Sequence, residues 1–171
     1  RDLHLSLRRQ RQMCIRDSDL AFQIEPLGML FSLVASGLWI LTSLYAIGYM
    51  RGHHEENQTR FFAFFAVAIS AALAAAFSGN MLTLFFSYEV LTLSTYPLVT
   101  HHRTPEALRA GRIYMGILLS TSIGLLLLGV LLTYHIAGTL SFIQGGILAE
   151  RATPLMTGVL LFLCLLYTSD A

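Results

Sequence analysis

The chain has 171 residues, 55% of them hydrophobic and 12% charged, with a mean hydropathy of +0.64. An ordinary soluble domain carries about a quarter charged residues, so this composition argues against a water-soluble fold and for a membrane protein. A net charge of +1, with no Lys and no basic patch interleaved with aromatics, gives no footing for a nucleic-acid partner.

In chain order, residues 1–18 (RDLHLSLRRQRQMCIRDS) come first and hold five of the eleven arginines. By composition alone they resemble an Arg-rich targeting peptide. The runs RQMCIRDS and, at the other end, CLLYTSDA more closely resemble translated sequencing-adapter read-through of the kind found at the ends of metagenomic contigs. Segments 1–18 and 164–171 are therefore expected to be non-native, with 19–163 a partial transmembrane domain and the natural protein continuing past both ends. Cys14 and Cys164 fall in these segments, so neither a disulfide nor a redox compartment follows from them.

A membrane-crossing helix needs about 20 mostly apolar residues. Such spans are predicted at about 27–50, 61–77, 81–100 and 112–135, and a further one begins at Pro154 and runs to the end of the chain. The expected fold class is an all-α membrane protein, a multi-span helix bundle with four complete spans and a truncated fifth. Loops 51–60 (RGHHEENQTR) and 101–112 (HHRTPEALRAGR) flank the short SGN connection at Ser78 to Asn80, so they share one side of the membrane. They carry Arg51, Arg60, Arg103, Arg109 and Arg112, against only Arg151 on the other side, which makes both loops cytoplasmic by the positive-inside rule. Small residues spaced by four, Ala68/Ala72/Ala76 and Gly116/Ser120/Gly124, would let helix backbones approach closely in lipid, although Gly and Ala are also simply common in membrane helices.

The third predicted span, LTLFFSYEVLTLSTYPLVT after Met81, contains the one acidic residue set inside apolar sequence, Glu89, ninth of its 20 residues. An ionisable side chain near the bilayer midplane costs roughly 2.5 to 3.5 kcal/mol on insertion scales. The Leu, Phe and Val residues of the span return roughly 4 kcal/mol, and the hydroxyl residues Ser87, Thr92, Ser94 and Thr95 consume much of the remainder. The helix is thus marginal alone and depends on neighbours that solvate or pair the carboxyl. In the plainer reading, a protonated Glu89 bonds a neighbouring helix, since burial favours the neutral form. In the functional reading, Glu89 loads and releases a proton inside the membrane. Thr92 and Tyr96, at i+3 and i+7, lie on nearly the same face and are candidates for relay or support. Pro97 frees the carbonyl of Leu93 and is a candidate helix kink.

Other titratable groups carry less. His135 closes the fourth span and is a candidate relay on the outer side. The HHEE run, His53 to Glu56, has metal-ligand residue types, but adjacent positions on a polar loop rarely converge on one ion, so no metal site is expected. His101 and His102 belong to the basic loop. No phosphate-binding glycine loop, nucleophile elbow or CxxC pair is present, and no catalytic residue or cofactor is assigned.

The runs YAIGYM, FFAFFAVAISAALAAAFSGNMLTLFFSYEVLTLSTYPLVTH and EALRAGRIYMGILLSTSIGLLLLG together resemble the antiporter-like membrane subunits. These proton-conducting subunits are shared by multisubunit Na+/H+ antiporters, respiratory complex I and membrane-bound hydrogenases. The resemblance covers roughly residues 25–165 and is closer to the antiporter D-type subunit than to complex I subunits. It implies a bundle of about 14 helices with two inverted repeats of about five, in which the present spans are the third to sixth. It further implies a Glu on the fifth helix, matched here by Glu89, that switches against a Lys on a broken seventh helix. That Lys has no match in this sequence, so these residues by themselves are expected to translocate nothing.

The leading expectation is therefore a fragment of a proton-translocating subunit of a cation/proton antiporter in a bacterial inner membrane, with Glu89 as proton site. Its expected partners are other membrane subunits of a hetero-oligomeric complex, the lipid bilayer, and protons with or without Na+. The alternative is a proton-pumping subunit of complex I (NADH:quinone oxidoreductase) or a membrane hydrogenase, with redox chemistry carried by other subunits. A non-transporting scaffold and, last, a small-solute transporter complete the readings.

Overall fold

The computed structural model of the chain describes residues 20–53, 57–143, 145–148 and 152–169, with side chains up to residue 163 in the last helix. The segment 1–18 with Cys14, the residues 54–56 of the HHEE run, Arg151 and the Cys164 side chain lie outside the described residues, as do the expectations placed on them.

Every described element is a helix. They are α1 (Pro26–Gly52), α2 (Gln58–Ala76), α3 (Met81–Val99), α4 (Pro105–Thr121), a π-helical stretch (Ser122–Leu127), α5 (Leu128–Ala137) and α6 (Pro154–Ser169). The α4, π and α5 segments run on as one helix, Pro105–Ala137, of 33 residues. That helix and α1, α2 and α3 are each long and apolar enough to cross a membrane. The protein is an all-α integral membrane protein.

Local chemistry sets the helix boundaries. Pro26 opens α1, where its fixed φ suits the first turn and its missing N–H costs nothing. Arg51 in the last turn faces the partial negative charge of the helix C-terminus. Asn57 precedes α2 in the left-handed conformation, φ 57°, which Asn tolerates better than most residues. Asn80 caps α3: its Oδ1 accepts the Thr83 N–H at 2.7 Å, satisfying one of the orphan donors of the first turn.

The fourth helix departs from the sequence expectation. Residues 105–112, read above as part of a polar loop, are its first two turns. Thr104 supplies the cap, its Oγ1 accepting the Ala107 N–H at 3.2 Å and its carbonyl the Leu108 N–H at 2.9 Å. Pro105 and Glu106 suit a first turn by backbone geometry and by dipole. The connection after α3 is correspondingly short, with Arg103 at φ 53°.

Contacts divide the chain into two compact units. Among the described residues, one comprises 20–23, Ser78–Phe86 and those from Ile117 onward. Backbone pairs knit it around the SGN connection. Gly79 N–H donates to Ala21 O at 2.7 Å, Met81 N–H to Leu140 O at 3.0 Å, and Phe142 N–H to Gly79 O at 3.3 Å. The Ala21 N–H donates to Thr83 Oγ1 at 2.8 Å.

The other unit comprises Ile24–Phe77 and Ser87–Gly116. Within it α1 packs along α2 by a narrow seam. Gly28 and Met50 are buried, and Ser32, Ala35, Ser36, Trp39, Ser43 and Ala46 are half-buried, at spacings of three and four. Gly28 fits against the carbonyl oxygen of Ala76, leaving no room for a Cβ. The Ala68/Ala72/Ala76 stripe thus ends in a close helix contact, as small residues permit in lipid. Gly116 and Gly124 of the second stripe instead have open space where a Cβ would stand.

Candidate functional site

The residues that α3 buries are mostly its polar ones. Thr83, Ser87, Thr92 and Ser94 are all buried, while Phe86, Val90, Leu93 and Val99 are about half exposed. In water this pattern would be inverted. In lipid it is the expected one, because a hydroxyl finds partners only inside the bundle and a large apolar side chain suits hydrocarbon. Several hydroxyls close onto their own helix: Ser94 Oγ donates to Leu91 O at 2.7 Å and Thr95 Oγ1 to Thr92 O at 2.7 Å. This local bonding tempers the insertion cost counted for them from sequence.

Glu89 is half-buried on this helix. On its own face, one turn to either side, stand Phe85 (7% exposed) and Thr92 (3% exposed), with Tyr96 a further turn along. The carboxyl therefore belongs to a stripe whose neighbours face protein. Tyr88 beside it lies within electrostatic reach of both Glu89 and Tyr114.

Of the residues singled out by sequence, Glu89, Thr92, Tyr96 and Pro97 share one compact unit, and His135 belongs to the other. Tyr96 is half-buried with its ring against Gly111 of α4. Helix α3 continues through Pro97 to Val99, so the hydrogen bond that Pro97 cannot make falls in the final turns. His135 lies exposed in the last turn of α5. The described residues hold no cluster of three metal-ligating side chains.

The sequence reading missed the π-helical stretch Ser122–Leu127. Its cause is visible just before it. Ser120 Oγ donates to Ile117 O at 2.8 Å, Thr121 Oγ1 reaches Ile117 O and Leu118 O at 3.1 and 3.0 Å, and Ser122 Oγ reaches Leu119 O at 3.3 Å. Three consecutive hydroxyls compete with backbone N–H groups for those carbonyls, which loosens the i→i−4 ladder and lets it slip to i→i−5. The run STSIG, Ser120 to Gly124, was the available signal; it registered only as part of a small-residue stripe. Such stretches are frequent at functional sites.

A cavity of about 910 Å³ lies nearby, in the same unit, between the helix ending at Ala137, the segment after it and α6. Among the described residues, Thr133 and Thr157 are its only hydroxyl-bearing lining residues, and no titratable side chain lines it. Thr133 Oγ1 is already bonded to Gly129 O at 2.8 Å. The cavity is thus apolar, and its lining offers little to hold a polar solute.

Comparison with known proteins follows the same lines. Residues 78–169 match the family described as NADH:quinone oxidoreductase/Mrp antiporter, TM. Residues 16–62 match the one described as NADH-Ubiquinone oxidoreductase (complex I), chain 5 N-terminus. Similar curated proteins include those named antiporter subunit mnhD2 from Staphylococcus aureus strains JH9, Newman and USA300, each 30% identical over 123 residues. The matches cover 71% of this chain and 24% of each relative, so the chain spans about a quarter of the length of the curated relatives it matches.

Proposed function

Because this chain belongs to the NADH:quinone oxidoreductase/Mrp antiporter transmembrane family, we propose that it is part of a proton-translocating subunit of a multisubunit cation/proton antiporter. The proposed site is Glu89, in a subunit of a bacterial inner membrane with segments 51–60 and 101–112 on the cytoplasmic face. One observation carries the assignment: Glu89 sits on a helix whose polar residues are turned inward, between the buried Phe85 and Thr92. A carboxyl on the inward-facing side of a membrane helix is a group that hydrocarbon accepts poorly, and such groups characteristically line proton and ion pathways. Thr92 and Tyr96 continue the same face toward the end of α3 and can carry a short relay.

The likeness to proteins named as antiporter subunits favours coupling to cation efflux over coupling to quinone reduction. The match of residues 16–62 to a complex I family supports the second reading, a proton-pumping subunit of a redox-driven complex. Other membrane subunits complete the assembly in either case.

The test is Glu89→Gln in the full-length subunit, assembled with its partners in everted membrane vesicles. Cation-driven dissipation of a pH gradient should fall at least about tenfold, the effect of removing an essential proton-transfer group, while the amount of assembled complex stays normal. Unchanged transport overturns the proton-site assignment. Loss of the assembled complex in Glu89→Gln would instead favour the scaffold reading. An effect confined to quinone-linked pumping would favour the complex I reading.

A further inference from the structure

We propose that the N-terminal turns of α4 and the connection before it form a binding surface for the phosphate of an anionic phospholipid. The starting point is a length mismatch. At 1.5 Å per residue, the 33-residue helix Pro105–Ala137 is about 50 Å long, against a hydrocarbon core of about 30 Å. Some of it must lie in the headgroup layers. Its first two turns are the polar end, and they bring Arg109 and Arg112 into that zone at i and i+3 on one exposed face.

The rest of the surface is built around them. Gly111, buried between the two arginines in sequence, seats α4 against Tyr96 and Thr100 at the end of α3, while Arg109 and Arg112 are exposed, Arg112 lying along its own helix with Nε donating to Leu108 O at 3.3 Å. Arg103, exposed, lies on the connection between the two helices. Arg60 fixes that connection to α2, donating from a guanidinium nitrogen to His101 O at 3.0 Å. Next along α4 come Ile113, 56% exposed, and Tyr114, 45% exposed. Exposed arginines followed within one turn by an exposed tyrosine and an exposed isoleucine are the residue types of a membrane boundary, where aromatic rings sit at headgroup level.

Charge type narrows the occupant. The segment 101–112 carries three arginines against the single Glu106, and the chain has no Lys. Arg offers a planar fork that matches phosphate oxygens in pairs. A basic cluster at the end of a membrane helix attracts anionic lipid by roughly a factor of five per charge, from about 1 kcal/mol each. An acidic segment of a partner subunit would compete for the same charges, but the arginines lie at headgroup depth beside exposed apolar residues, which suits a lipid better. The surface is independent of the proton site and of which leaflet it meets.

The decisive experiment is native mass spectrometry of the assembled full-length complex, exposed in turn to phosphatidylglycerol and phosphatidylcholine. The wild type should retain phosphatidylglycerol several-fold over phosphatidylcholine, and the preference should shrink at high salt. The Arg109→Gln/Arg112→Gln pair should lower phosphatidylglycerol retention on the order of tenfold, and Arg109→Lys/Arg112→Lys should restore much of it. Equal retention of both lipids by the wild type overturns the proposal, as does a Gln pair that retains as much as wild type. If the Gln pair instead sheds a partner subunit while keeping its lipid, the surface is a protein contact and the proposal fails. If that pair does not accumulate, the wild-type lipid preference with its salt dependence and the Lys pair decide.

Discussion

Helices α1 and α3 are both apolar enough to cross a membrane, yet they meet the rest of the protein in opposite ways. Along α1, 27 residues long, Gly28 and Met50 are the only buried positions, and side chains such as Leu27, Leu33 and Tyr45 are more than 70% exposed. Along the 19 residues of α3 the buried set includes Thr83, Ser87, Thr92 and Ser94. Hydrocarbon accepts the surface of α1 outside its narrow seam with α2, so most of that sequence says little beyond length and hydropathy. It accepts the hydroxyls and carboxyl of α3 badly, so that helix must be placed by its neighbours. Polar content in a membrane helix thus marks where the structure is specified. Apolar content marks only where the lipid is.

The comparison breaks most sharply at Gly28, where α1 does have a specific contact. A methyl group there meets the Ala76 carbonyl oxygen, which is backbone and cannot rotate away. Gly28→Ala should cost about 2 to 3 kcal/mol by overpacking. Gly37→Ala on the same helix, with nothing within 4 Å of the added atom, should stay within about 0.5 kcal/mol. Thermal unfolding of the full-length subunit in detergent checks the pair, and equal shifts would show that the seam between α1 and α2 is not specific.

A smaller effect is expected at the start of α3. Asn80 is fully buried, its Oδ1 holding the Thr83 N–H, and its backbone forms a bridge with Ser141. Asn80→Ala should cost about 1 to 2 kcal/mol through loss of the cap and exposure of an unpaired N–H to apolar surroundings. Asn80→Asp or Asn80→Ser should recover part of it. An Ala variant that melts at the wild-type temperature would place the stabilisation in the backbone bridges instead.

These residues also show what the sequence could and could not reveal. The long helices were legible because hydropathy is a property of blocks, and blocks such as 27–50 need no partner to be recognised. Glu89 stands out in the sequence because its insertion cost is large against the apolar return of its own span, and its role is the proposal made above. The start of α4 was misread because an Arg-rich polar run looks like a loop, whereas Thr104, Pro105 and Glu106 make a competent helix start whatever follows. The π-helical stretch depends on hydroxyls capturing carbonyls, a competition that hydropathy does not register. Packing was least legible of all. The stripes Ala68/Ala72/Ala76 and Gly116/Ser120/Gly124 look alike in sequence, yet only the first reaches a close helix contact among the described residues, through Ala76 and Gly28.

The finest distinction lies at Thr92, where the inward polarity of α3 is either packing or relay. Thr92→Val keeps the shape and removes the hydroxyl, and polar contacts inside membrane bundles contribute about 0.6 kcal/mol on average. Stability alone should therefore barely move. If Thr92 carries protons past Glu89, transport by the assembled complex should drop severalfold in Thr92→Val and return in Thr92→Ser, with melting temperatures alike in both. If the hydroxyl serves only packing, transport should track the small stability change and Ser should offer no advantage. Because Val90, two residues away on the exposed arc, can be changed to Leu without touching either role, its unaltered transport supplies the baseline against which a severalfold effect at Thr92 gains meaning.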